Sequence, residues 1–201
     1  MNEANRIVHM VLAGLAEKVG PGVTTRELDR YAEKAIREAG GVPAFLHYKG
    51  YPATLCTSIN EVIVHGIPDE TALRLMTVTK RALELAVEEV RPNKRLSDIG
   101  HAVQLYVESE GFSVVRDFVG HGIGTALHED PQVPNFGEPG RGPKLKPGLV
   151  IAIEPMVNAG APAVKVDKDG WTARTADGSL SAHFEYSVAV TDHGARILGV
   201  G

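Results

Sequence analysis

The chain has 201 residues, 43% of them hydrophobic and 23% charged, with a formal net charge of -4. That length suffices for one well-cored domain or two small lobes, and the composition is that of an ordinary soluble globular protein. The negative balance excludes an overall basic field for nucleic acid, so no DNA partner is expected; the densest basic run, Arg91 to Arg95, reads as a solvated loop before a helix. The lone cysteine, Cys56, rules out an intrachain disulfide and fits a reducing compartment. The opening "MNEANRIVHMVLAGLAEKV" lacks a basic region followed by an apolar block, and no run approaches the length of a membrane span. A soluble, cytoplasmic protein with no membrane partner is expected.

Apolar residues at Ile7, Val11 and Leu15, flanked by Val8 and Leu12, predict an amphipathic helix over 3–18. Thr24 with Glu27 three residues later is a capping-box signature, and the helix it opens runs to Gly40-Gly41. The mixture of Pro, Gly and aromatics in 42–68 predicts irregular chain with two short strands, "ATLCTS" and "EVIVH". A stripe of Ala72, Met76, Thr79, Leu83, Ala86 and Val90 predicts a helix over 71–90, stopped by Pro92. Ser97 is the expected cap of the next helix, which ends at Gly111. Beyond it, "FSVVRDFVG", "GLVIAIEPMV" and "HFEYSVAVT" read as strands, with "KDGW" and "ADGS" as turns. Helices grouped apart from strands predict an α+β fold in a single domain spanning 1–201. A displacement of 71 residues also brings Pro21 onto Pro92, Leu28 onto Ile99, Ala32 onto Val103 and Gly40 onto Gly111, a faint internal repeat.

Two of these strands carry a glutamate inside an apolar run. Alternation puts Glu154 on one face with Val150 and Ala152, and Glu185 on one face with Ser187 and Ala189. Small neighbours leave room above the sheet, and a buried carboxylate needs a cation or hydrogen-bond donors. The competing reading is a solvated glutamate on an edge strand. His121 stands between two glycines, which allow close backbone approach. With Glu154 and Glu185 it makes a candidate first shell for Mn, Fe, Co or Zn. The same stretch as His121 also holds His128, and His65 is a further candidate for binding a substrate or stabilising charge, or equally a strand-end histidine bonding nearby backbone.

The stretches "CTSINEVIVHGIPD", "VVRDFVGHGIG", "LHEDPQVPNFG", "LKPGLVIAIEPM" and "DGWTARTADGSLSAHFEYSVAVT", in this order, resemble the type I methionine aminopeptidases. The similarity covers nearly the whole chain. It implies the pita-bread fold, an antiparallel sheet covered by helices in pseudo-twofold halves, and so accounts for the repeat. It also implies removal of the initiator methionine from nascent proteins by metal-activated water, with N-terminal Met peptides as substrate and the ribosome as a partner. His121, Glu154 and Glu185 would be metal ligands, Glu185 bridging two ions. Glu154 would also shuttle a proton, His128 would stabilise the developing oxyanion, and His65 would bind the peptide or assist proton transfer. Tyr48, Tyr51, Cys56 and Trp171 would line the methionine pocket.

The junction near 69–71 departs from that family. There a central hairpin after "GIPD" supplies two metal-binding aspartates; here Asp69-Glu70 runs straight into the helix. The piece lacking is on the order of two strands of about 5–6 residues with their flanks. Asp69, Asp98 and Asp117 do not correspond to the ligands. One metal ion, or none, is then the expectation in place of two. Three protein ligands plus water is a workable mononuclear site for zinc. The alternative is a catalytically impaired or silent pita-bread protein that binds a peptide or partner. Smaller departures are Leu127 at an aromatic pocket position, and His183 and Tyr186 in place of Gln and His around Glu185. They are expected to tune the metal's surroundings or the pocket width without removing a ligand.

Overall fold

The computed structural model describes residues 1–20, 23–57 and 70–200. The chain divides into two compact units, Met1–Ile59 with Leu198–Gly201, and Asn60–Ile197.

The first unit is built on two helices, α1 (Asn2–Ala16) and α2 (Thr25–Glu38). The capping box is present: Glu27 N donates to Thr24 Oγ1 at 3.2 Å, and Thr24 N donates to Glu27 Oε2 at 2.8 Å. Val11, Leu15 and Ala32 form the buried centre, with Ile7, Leu28 and Ile36 packed on it. A Cβ at Gly14 would collide with the Tyr31 hydroxyl, so the two helices meet where α1 has no side chain. The strand expected at "ATLCTS" does not form over 53–57. Thr54 N and Leu55 N both donate to Asp29 Oδ1 at 2.8 Å, so donors that a ladder would use go to a helix side chain instead. The "EVIVH" strand and His65 lie outside the described residues.

Among its described residues the second unit holds α3 (Glu70–Glu88), α4 (Leu96–Ser109) and ten short strands. Displacing α2 by 71 residues lands on the bounds of α4, as the repeat predicts. The buried stripe of α3 is Leu75, Val78, Ala82, Leu83 and Ala86. Met76, expected in it, is 49% exposed, because the branched Leu75 and Val78 on the neighbouring stripe face the core instead. Ser97 does not cap α4 either. Arg95 stands at the N-cap, its N–H donating to Asp98 Oδ2 at 2.8 Å. Ser97 Oγ instead donates to Arg141 O at 2.9 Å and accepts from Arg141 N at 2.7 Å, fastening a distant loop.

The strands are β1 (Ser113–Val114), β2 (Gly120–Gly122), β3 (Glu129–Val133), β4 (Val150–Ile153) and β5 (Met156–Asn158). They continue with β6 (Val164–Val166), β7 (Ala173–Thr175), β8 (Ser181–His183), β9 (Tyr186–Thr191) and β10 (Gly194–Ile197). Five of them form a sheet ordered β10-β9-β4-β2-β3, three form β1-β5-β8, and β6 pairs with β7; all pairings are antiparallel. Each of the three long strands expected from the sequence is therefore broken in two. β4 gives way to β5 at Glu154-Pro155, and β8 gives way to β9 at Phe184-Glu185. Pro155 has no N–H to give a ladder, which accounts for the first break. The breaks face each other, since Ile153 pairs with Tyr186 and Met156 with His183. On the helix side, Ile151, Ile153 and Val188 are fully buried in one core with Leu83, Ile99 and Val103. That core fixes which residues of β4 and β9 are left for the opposite face.

Candidate metal centre

The site gathers where the paired strands change sheets. Ala152 lies opposite both His121 on β2 and Ser187 on β9, so these residues share the face away from the helices. Gly120 and Gly122 make the approach of β2 possible. A Cβ on Gly120 would strike Ala152 O, and one on Gly122 would strike Asp130 O. His121 Nδ1 lies 2.8 Å from Gly122 O. A carbonyl oxygen only accepts, so Nδ1 carries the proton and Nε2 presents its lone pair outward. Nε2 lies 3.5 Å from Glu154 Oε1. The other oxygen, Oε2, lies 3.3 Å from His183 Nε2. Asn135, itself buried, donates from Nδ2 to Glu154 O at 3.2 Å and holds the backbone at the break.

Glu154, His183 and Glu185 each offer one donor atom within 4.8 Å of the others. Part of Glu185 reaches solvent, yet its carboxyl end lies among dense protein atoms. That desolvation is the largest cause raising its pKa above the ordinary range, followed by the Glu154 charge; His183 and His121 act the other way.

The donor chemistry fits a divalent cation. Two ligands each about 2.0–2.1 Å from a tetrahedral ion lie roughly 3.3–3.4 Å apart. The imidazole–carboxylate separations here, 3.3 and 3.5 Å, match that spacing. They exceed the ~2.7–2.9 Å of a charge-assisted hydrogen bond. Histidine with carboxylates suits Mn, Fe, Co or Zn.

Of the other candidates, His128 is exposed just before β3, its ring centroid 4.2 Å from that of His121. Trp171 stands on the turn between β6 and β7, 41% exposed, its N–H donating to Asp169 Oδ1. Tyr48, Tyr51 and Cys56 belong to the first unit. There Phe45 meets both tyrosine rings edge-on, and Tyr51 donates its hydroxyl proton to Leu55 O at 2.8 Å. His183 was expected to tune the metal's surroundings or the pocket width, and the structure brings its ring within 4.8 Å of donor atoms of Glu154 and Glu185. The signal was present in the sequence: alternation places residue 183 on the same face as Glu185.

The sequence pattern described as metallopeptidase family M24 matches residues 1–75 and 68–192. The chain belongs to metallopeptidase family M24. It is 43% identical over 233 aligned positions to methionine aminopeptidase 1 of Bacillus subtilis, covering 98% of this chain and 94% of that one. A crystal structure of methionine aminopeptidase from Thermotoga maritima superposes with a TM-score of 0.95 at 38% identity, covering 100% of this chain and 95% of that one. The prolidase from Pyrococcus furiosus, at 19% identity and a TM-score of 0.69 over 100% of this chain and 62% of that one, shares the fold. The M24 chain described here thus has the α+β pita-bread fold. Its two matched pieces meet at 68–75, the shortened junction, and the 233 aligned positions exceed its 201 residues.

Proposed function

We propose that this M24 chain is a metal-dependent methionine aminopeptidase that releases the initiator methionine from nascent proteins. The observation that carries the reading is its similarity to proteins of that name over 98% of its length. Supporting it, Glu154 lies with Glu185 in one group of potential donors and 3.5 Å from His121 Nε2. In this reading they hold the ion. Held there, a divalent ion would supply polarisation of the scissile carbonyl and a bound water with a pKa near neutral. Glu154, with its second oxygen turned away from His121, carries a proton to the leaving amine. His128, beside His121 and open to solvent, donates a hydrogen bond to the carbonyl oxygen of the substrate. His65 binds the peptide, and Tyr48, Tyr51, Cys56 and Trp171 line the side-chain pocket. The whole chain acts as a single catalytic domain.

Substrates are N-terminal Met peptides with a small second residue, presented in the cytoplasm beside the ribosome. Among the described residues, no helix is long and apolar enough to cross a membrane. The shortened junction favours a second reading, a silent protein that binds peptide with one metal or none. One assay separates the two: methionine release from Met-Ala and Met-Gly peptides with Mn or Co. Turnover abolished by chelation and by Glu154→Ala is expected. Full activity in Glu154→Ala would sink the mechanism, and folded, metal-loaded protein without turnover would leave the binding reading.

A further inference from the structure

We infer that His183 is itself a metal ligand, acting with Glu154 and Glu185. The inference rests on the metallopeptidase reading and goes beyond it, because that reading gives His183 no coordinating role. Its Nε2 lies 3.3 Å from Glu154 Oε2, a separation longer than a good hydrogen bond and right for two ligands of one ion. The Glu154 carboxylate therefore stands between two imidazoles, one oxygen toward each. Among the described residues, the group that brings three potential donors within 4.8 Å is Glu154, His183 and Glu185. His121, a ligand in the metallopeptidase reading, faces the other oxygen of Glu154 at 3.5 Å.

The placement of His183 comes from the fold. It ends β8 opposite Met156, immediately beside the break that carries Glu185, and Met156 follows the break that carries Glu154. All three donors thus hang from one short stretch of paired backbone whose outer residues are locked into two ladders. Together with His121, this gives four protein donors, two imidazoles and two carboxylates, a mixed set suited to a borderline divalent ion. The described part of that group offers no third carboxylate, and His183 takes that place with a neutral nitrogen. A site so built has one negative charge fewer than an all-carboxylate set, which favours borderline ions over Mg or Ca.

The test titrates the metal-free full chain with Mn²⁺ and Co²⁺ by calorimetry, alongside His183→Gln and His183→Cys. Wild type is expected to bind, and His183→Gln to bind about 100-fold more weakly or worse. Loss of a mere outer partner costs roughly 10–100-fold, so the Cys variant supplies the deciding readout. Cobalt-loaded His183→Cys should show a thiolate-to-cobalt charge-transfer band that wild type, with Cys56 alone, lacks. Unchanged affinity in His183→Gln, or weakened affinity with no such band in His183→Cys, overturns direct ligation while the metallopeptidase reading stands. Absence of metal binding by wild type overturns both.

Discussion

The second unit carries carboxylates in two different settings. Around the β6–β7 hairpin, Asp169 accepts from Thr172 Oγ1 at 2.6 Å and from Trp171 N and Thr172 N at 2.9 Å each. Asp177 accepts from Ala161 N at 2.7 Å and Ser179 N at 3.0 Å. Those donors hold both pKa values down to about 2, the Thr172 hydroxyl leading for Asp169 and the Ala161 N–H for Asp177. At the break in the sheet the sign reverses: desolvation and the Glu154 charge push Glu185 up. A carboxylate whose charge is already met by N–H and O–H groups is part of a turn. One crowded against another carboxylate and an imidazole is arranged to hold a cation. The two settings therefore separate structural acids from functional ones within 30 or so residues of chain.

Substitution breaks that contrast most sharply at Glu154. Glu154→Ala should cost at least about 10²–10⁴-fold in methionine release, the range of a lost general acid–base. Asp177→Ala should leave turnover near wild type, measured on the same Met-Ala peptide. Next in size is Asn135, which touches only the backbone of the site. Asn135→Ala frees Glu154 O and leaves the break less well fixed. Metal affinity should fall roughly 10–100-fold, as for other supporting partners. A calorimetric titration with wild-type affinity would remove Asn135 from the support of the site.

Much of this arrangement is legible in the sequence. The capping box at Thr24, the period of α1 and α2, and the turns at "KDGW" and "ADGS" are local signals, and they appear as read. The facing glutamates are legible because alternation separates Glu154 and Glu185 from the apolar faces that α3 and α4 cover. What alternation hides is where a ladder ends. Nothing local distinguishes "VIAIEPMV" as one strand from two, although Pro155 removes a donor at the break. Met76 and Ser97 mislead for a related reason, since either of two neighbours satisfies the helical spacing and distant packing chooses. His183 is lost because a histidine beside a stronger candidate reads as its support. The "ATLCTS" stretch fails through Asp29, a residue 25 positions away from Thr54 that claims its N–H.

The comparison sharpens when the metal is removed. Glu185 is a desolvated carboxylate beside Glu154, so without a cation its charge opposes folding at neutral pH. Glu185→Gln keeps the shape and deletes that charge. The metal-free variant should melt above metal-free wild type, each kcal/mol being worth about 2–4 °C in a chain of this size. With Mn²⁺ or Co²⁺ in excess the order should reverse, because the ion stabilises only the form that binds it. A variant that melts above wild type in both conditions would show that Glu185 repels but does not ligate, and one that melts below it in both would show that its charge does not oppose folding.

The smallest effect is expected at Asp177, and pH reveals it. Its folded pKa, about 2, lies below the unfolded value of about 3.9. A depressed carboxylate binds its proton more readily in the unfolded chain, so its contribution to stability is complete above about pH 4. As pH falls through 4 toward 2 the unfolded state takes up a proton first, and the contribution drains away. Asp177→Ala should therefore lower the melting temperature modestly at pH 6, and by progressively less as pH drops toward 2. The effect stays small because the group is exposed and its field is screened. A gap between wild type and Asp177→Ala that held constant from pH 6 to pH 2 would mean that the Ala161 and Ser179 hydrogen bonds act without the charge. The acids of the hairpin would then differ from those of the metal centre in geometry alone.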